Sequence, residues 1–152
     1  MITWQCKFFT DLSSFELYKI LQLRSEVFIV EQNCVYQDCD NKDLKAYHYM
    51  GWENENLIAY TRLLDKGISY EEEASIGRVV TAKSVRGKNI GKQLMTNSID
   101  EIYHLFGEVP IRISAQLYLK KFYESFSFVQ KSAVYMEDGI EHISMLHLTS
   151  KQ

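Results

Sequence analysis

The sequence predicts a mixed α/β protein: a mostly antiparallel sheet of about seven strands with flanking helices. Three observations carry this. Short runs rich in β-branched and aromatic residues recur along the chain, as strands require. Two longer segments place apolar residues at helical spacing. One stretch, residues 74–115, reads strand, turn, helix, strand, which implies two locally parallel strands and a right-handed crossover.

The elements run in order from the first residues. Residues 2–9 alternate loosely through Ile, Thr, Trp and two Phe and form an opening strand. Ser13 with Glu16 three residues on is a capping box, and Leu12 with Leu17 is its hydrophobic staple. The helix it opens runs to about Val30, with Leu17, Ile20, Leu21, Arg24, Val27 and Phe28 near one face. Residues 33–46, rich in Asp and Asn, form a loop. Residues 47–52 and 57–64 form a hairpin joined through Glu53-Asn54-Glu55-Asn56. A polar connection over 66–73 leads to a strand at 74–81, and a basic turn then opens a helix over about 90–106. In that helix Ile90, Leu94, Met95, Ile99, Ile102 and Phe106 hold one side. A strand over 109–115, a short helix over 118–126 and a hairpin over 134–148, turning at Asp138-Gly139, complete the order.

At 152 residues the chain is long enough for one domain, 1–152, with a sizeable core, and short for two. A net charge of −3 argues against general nucleic-acid binding, which needs an extended basic face. No apolar run approaches the ~20 residues of a membrane span. The first six residues lack a charged start followed by an apolar block, so no secretory signal is expected and a cytoplasmic location is. Cys6, Cys34 and Cys39 make no CxxC pair and read as reduced thiols. Asp38, Asp40 and Asp43 break the calcium-loop pattern at Lys42, and no metal is expected.

Positive charge is concentrated. Residues 74–99 hold five basic side chains (Arg78, Lys83, Arg86, Lys88, Lys92) and no acidic one, while the remainder holds 12 basic against 20 acidic. A Gly-bearing turn opening a helix leaves N–H groups unpaired beside the positive end of the helix dipole, a site for a phosphate ester. Two nucleotide motifs fail here. A P-loop needs four residues between its glycines and Ser or Thr after the lysine; three separate Gly87 from Gly91, and Gln93 follows Lys92. The dinucleotide fingerprint lacks its third glycine and its acid.

The segment Arg86-Gly87-Lys88-Asn89-Ile90-Gly91-Lys92 instead resembles the Q/R-x-x-G-x-G/A signature of the GCN5-related N-acetyltransferase (GNAT) superfamily. Asn89 stands in place of the first glycine, and Asn tolerates the left-handed region better than other non-glycine residues. Residues 116–128 resemble the superfamily's N-x-x-A-x-x-F-Y-x-x-x-G-F segment. Phe122, Tyr123 and Phe128 match, whereas Gln116, Leu119 and Ser127 replace Asn, Ala and Gly. Over its whole length the chain is similar to the ElaA-like branch, through residues 21–34, 36–38, 76–80 and 137–143.

The resemblance implies a GNAT sheet whose fourth and fifth strands are locally parallel and splayed. It also implies acetyl transfer from acetyl-CoA to an amine of a small-molecule or peptide acceptor, directly and without metal. The coenzyme's pantetheine arm is then expected along Val79, Val80 and Thr81, and its diphosphate at Arg86, Gly87, Lys88, Asn89, Ile90, Gly91 and Lys92, with Gln116 also facing it. A fourth-strand N–H near Val80 would stabilise the oxyanion. Tyr123 matches the tyrosine that protonates the departing thiolate, with a core aromatic as its bland alternative. For the base, His142, Glu31 and His48 stand open beside an amine that arrives deprotonated. His104 and His147 read as structural. Arg24 and Arg78 interrupt apolar settings and call for partners, from Glu31 or from an Asp in the 38–43 loop. The alternatives are a catalytically weak CoA-binding regulatory module and an acyl-homoserine-lactone-type synthase. The terminal hairpin leaves a homodimer open.

Overall fold

A computed structural model describes residues 1–149; Ser150, Lys151 and Gln152 of the expected single domain lie outside the described residues. Eight strands form one sheet: β1 (Thr3–Phe8), β2 (Tyr47–Glu53), β3 (Asn56–Leu64), β4 (Ala74–Thr81), β5 (Ile111–Gln116), β6 (Val129–Gln130), β7 (Tyr135–Glu137) and β8 (Ile140–His147). Their spatial order is β1-β2-β3-β4-β5-β8-β6, with β7 also paired to β8. All pairings are antiparallel except β4–β5. The mixed, mostly antiparallel sheet is therefore the one expected. Its extra strand is β6, two residues long and too short to show a periodicity.

The helices are α1 (Ser14–Arg24), α2 (Ile90–Phe106) and α3 (Lys120–Glu124). The capping box at α1 is formed in full: Glu16 N–H donates to Ser13 Oγ at 3.0 Å, and Ser13 N–H to Glu16 Oε1 at 2.8 Å. Ser13→Ala is expected to lower stability by about 1 kcal/mol, the usual weight of an N-cap hydroxyl. Urea denaturation would show this as a lower midpoint with an unchanged slope, and an unmoved midpoint would leave the cap without weight.

The helix does not continue in α geometry to Val30. After Arg24 it widens into a π-helical segment, Ser25–Glu31. Val27, Ile29 and Val30 are β-branched and hold an α-helix weakly. The wider turn also re-aims the side chains it carries, a use of π-turns common at functional sites. Here Val27, Phe28 and Glu31 all come to line one cleft. Likewise the expected 118–126 helix is a 3₁₀ turn, Leu117–Leu119, followed by the short α3.

β3 lies inside the sheet, between β2 and β4, and is buried from Leu57 to Leu64. Its residues alternate between two cores, as the strand period demands. Ala59 and Leu63 face the larger core, with Leu94, Met95, Ile99 and Ile102 of α2. Tyr60 faces the other, with Ile20 and Leu23 of α1, and Leu57 joins it there because the β2–β3 register shifts between Gly51 and Trp52 and skips Ile58. Thr61, on the α2 side, pairs with Ser98 Oγ at 2.7 Å.

Candidate active site

β4 and β5 pair only through Ala74↔Ile111 and Ser75↔Arg112. From Ile76 to Thr81 the β5-side edge of β4 has no partner strand, and the two strands diverge around a cleft of about 860 Å³. β4 also bulges: Tyr60 pairs with Val80 but Arg62 with Gly77, so Arg78 and Val79 together oppose one residue. Arg78 takes φ 50 there, a left-handed conformation costly for a side-chain-bearing residue.

Contacts to the 38–43 loop hold the bulge. Arg78 Nη2 donates to the Asp38 carbonyl at 2.8 Å, and Arg78 also pairs with the Asp38 and Asp40 carboxylates. Arg24, wholly buried, donates to Asp38 Oδ2 and Asp43 Oδ1, both at 2.8 Å. Arg62 bridges Asp40 and Asp43 at 2.8 and 3.0 Å. Three arginines and three aspartates thus alternate, so the loop aspartates, not Glu31, meet the need of Arg24 and Arg78. Burial by itself would raise the Asp43 pKa, but the hydrogen bonds and charges of Arg24 and Arg62 hold it below the usual carboxylate range.

At the far end of β4 the turn runs into α2. Asn89 is the N-cap with φ 63 and ψ 16, the left-handed backbone for which asparagine suits. No side chain caps the helix and no acid occupies its first turn, so its N–H groups and dipole face outward uncompensated. Gly91 sits in that turn, where an added Cβ would meet only the Phe122 ring edge at 3.7 Å. Arg86 Nη1 pairs with Glu31 Oε2 at 2.6 Å, and that hydrogen bond, with the charges of Arg86 and Lys83, keeps Glu31 below the ordinary carboxylate range.

The cleft gathers eight of the residues singled out in the sequence: Glu31, Val79, Val80, Thr81, Arg86, Gln116, Tyr123 and His142. Gly87, Lys88, Asn89, Ile90, Gly91 and Lys92 lie beyond its end, on the turn and first helical residues. Tyr123 is buried between Phe122 and Phe128, and burial first, then Tyr118, pushes its hydroxyl pKa well up. His48 lies elsewhere: fully buried, it accepts from Tyr60 OH at Nδ1 (2.6 Å) and donates from Nε2 to the Asp43 carbonyl (3.0 Å). His147 bonds Tyr103 OH at 2.9 Å, as a structural histidine would.

Sequence reasoning missed Glu137 and Ser114. Glu137 Oε2 is 3.4 Å from His142 Nε2, and Glu137 Oε1 accepts from Ser114 Oγ at 3.3 Å. The signal was present in the turn at Asp138-Gly139, whose register sets Tyr135 opposite His142 and puts Glu137 on the same face as Tyr135. Among the described residues, no group of three His, Cys, Asp or Glu side chains is placed to hold a metal, and no helix is long and apolar enough to cross a membrane.

The sheet is thus parted at its one parallel pair, and the bulged strand beside the gap leads to an uncapped helix. The model of the Acetyltransferase (GNAT) domain matches residues 16–148, and the chain belongs to that family. It is 44% identical over 147 residues to Protein ElaA of Escherichia coli K12, covering 95% of each chain. The crystal structure of Escherichia coli ElaA superposes with a TM-score of 0.90 at 42% identity, covering 97% of this chain and 99% of that one. An acyl-CoA N-acyltransferase from Pseudomonas aeruginosa superposes at 0.92, also with 42% identity and the same coverage.

Proposed function

We propose that this chain is a single-domain, cytoplasmic N-acetyltransferase that moves an acetyl group from acetyl-CoA directly to an amine of an acceptor in a ternary complex. One observation supports it above the rest: the unpartnered edge of β4 ends at the uncapped N-terminus of α2. An extended pantetheine arm fits that edge as an added strand, along Val79, Val80 and Thr81. A diphosphate fits the N–H groups of residues 87–92, with Arg86, Lys88 and Lys92 adding charge-assisted contacts at its rim and Gln116 on the facing wall.

The chain's own groups then divide the chemistry. A backbone N–H at the β4 bulge, near Val80, faces the charge that builds on the thioester carbonyl oxygen; one such donor contributes about 2.7–4 kcal/mol to a transition state. Tyr123 holds the proton for the departing sulfur. Burial keeps its hydroxyl protonated throughout the neutral range, so that proton is always present. Glu31, already paired with Arg86, is a weaker candidate base than His142.

Calorimetric titration with acetyl-CoA tests the reading, using Gly91→Glu as the variant. A carboxylate in the first turn of a helix favours the dipole, and the position has room, so folding stability should hold or rise slightly. Coenzyme affinity should nonetheless fall by about 100-fold, the cost of setting an anion against a diphosphate. Absence of heat with the wild type, or unchanged affinity in the variant, would overturn the assignment.

A further inference from the structure

Besides glycines and Arg78, six of the described residues hold a positive φ: Asn33, Asn41, Asn54, Asn89, Ser127 and Asp138. All six lie in turns or a bend, and five are Asn or Asp, whose short polar side chains tolerate that backbone by bonding locally. Arg78 is the exception twice over. It stands inside strand β4, and its long side chain gains nothing from a left-handed backbone. A strained residue persists only where its surroundings over-determine it, and such outliers collect at functional sites.

What Arg78 grips accounts for the exception. Nη2 donates to the Asp38 carbonyl at 2.8 Å and reaches Asp40 Oδ2 at 3.4 Å. Nε lies 2.8 Å from Asp38 Oδ1, and the guanidinium sits over the Tyr36 ring at 5.8 Å. Every acceptor in this set has a second partner. The Asp38 carbonyl takes Arg24 Nη2 at 3.1 Å, and the Asp38 carboxylate takes Arg24 Nε and Tyr36 OH at 2.8 Å each. Asp40 takes Arg62 Nη1 and Nη2 at 2.8 and 3.0 Å. The loop end of the tether is therefore secured without Arg78. The strand end is not. Arg78 and Val79 both oppose Thr61, so the β3 ladder is interrupted at the bulge, and β5 is no longer paired on the other side.

We propose that Arg78 is a positioning residue: its guanidinium anchors the β4 bulge to the ion-paired 38–43 loop and so holds the bulge N–H against the thioester carbonyl oxygen. The proposal rests on the acetyl-CoA reading of the same cleft. Such a donor works only within about 2.7–3.1 Å of the oxygen, and a misplacement of about 1 Å can cost about 10²-fold in rate. Glycine or asparagine would adopt φ 50 with less strain but could not reach the loop. The arginine accepts that strain and holds the bulge still. It acts through the backbone and moves no proton.

The test binds acetyl-CoA, labelled with ¹³C at the thioester carbonyl, to the wild type, Arg78→Gly and Arg78→Asn. Isotope-edited infrared difference spectroscopy then reads the C=O stretch, which needs no acceptor. In the wild type the stretch should fall below that of free acetyl-CoA, the mark of a donor on the oxygen. In both variants at least about half of that displacement should be lost, although both suit the left-handed backbone better. The calorimetric Kd for acetyl-CoA should stay close to that of the wild type. The thermal midpoint should stay within about 5 °C, because no carboxylate is left unpaired and backbone strain is relieved. A full displacement in either variant shows that backbone conformation alone suffices and overturns the proposal. So does a wild-type stretch equal to that of free acetyl-CoA at saturation. A midpoint lowered beyond that range in both variants makes Arg78 a tie of the fold and overturns it equally. Absence of wild-type binding instead overturns the reading beneath it.

Discussion

Asp43→Ala is expected to destabilise the protein by about 3–5 kcal/mol, the cost of removing one partner from a buried ion pair. Asp43 receives Arg24 at 2.8 Å and Arg62 at 3.0 Å, and Arg24 has no solvent exposure with which to recover hydration. Against a typical total of about 5–15 kcal/mol the loss is large. It would appear in urea as a sharply lowered midpoint, and in heating as a fall of about 10 °C for a chain of this size. A loss under about 1 kcal/mol would show that Asp38 and Asp40 carry the arginines alone. The same cluster fixes a pH dependence. Asp40 and Asp43 have folded pKa values lowered by Arg62 and Arg24, against burial that works upward. Their contribution is complete above the unfolded carboxylate value, about 4, and is lost as pH falls through the lower folded values. Stability of the wild type should therefore decline more steeply than that of Asp43→Ala as acid is added below that value.

The second large effect belongs to chemistry. Tyr123→Phe should reduce kcat by about 10²- to 10⁴-fold with an amine that the wild type acetylates, while acetyl-CoA binds as before. The ring keeps its packing between Phe122 and Phe128, so only the hydroxyl is lost. Thiol release and calorimetry on one preparation would separate the two outcomes. Wild-type turnover in the variant would reduce Tyr123 to a core aromatic.

Much of this architecture was legible in residue order. The capping box, the crossover unit and the left-handed turn at Asn89 all depend on local rules, and each stands where those rules put it. The π-helical segment was not legible, because its apolar positions satisfy an α-helical period as well. Nor was the pairing of Arg24, Arg62 and Arg78, since it joins α1, two strands and a loop that only the folded chain brings together. The site divides along the same line. The basic turn at residues 86–92 is contiguous and can be read from neighbours; the Glu137–His142 pair needs the register of a hairpin.

The narrow seam between β4 and β5 has a consequence for how the molecule breathes. Two rungs join strands β1–β4 to strands β5–β8 within the sheet, and the rest of the connection passes through α2 and its packing. Amides along the bare edge should exchange with deuterium well before those of β3, which is paired on both sides. A ligand laid along that edge would act as missing mortar, so slowed exchange at residues 76–81 would report occupancy without any assay of turnover.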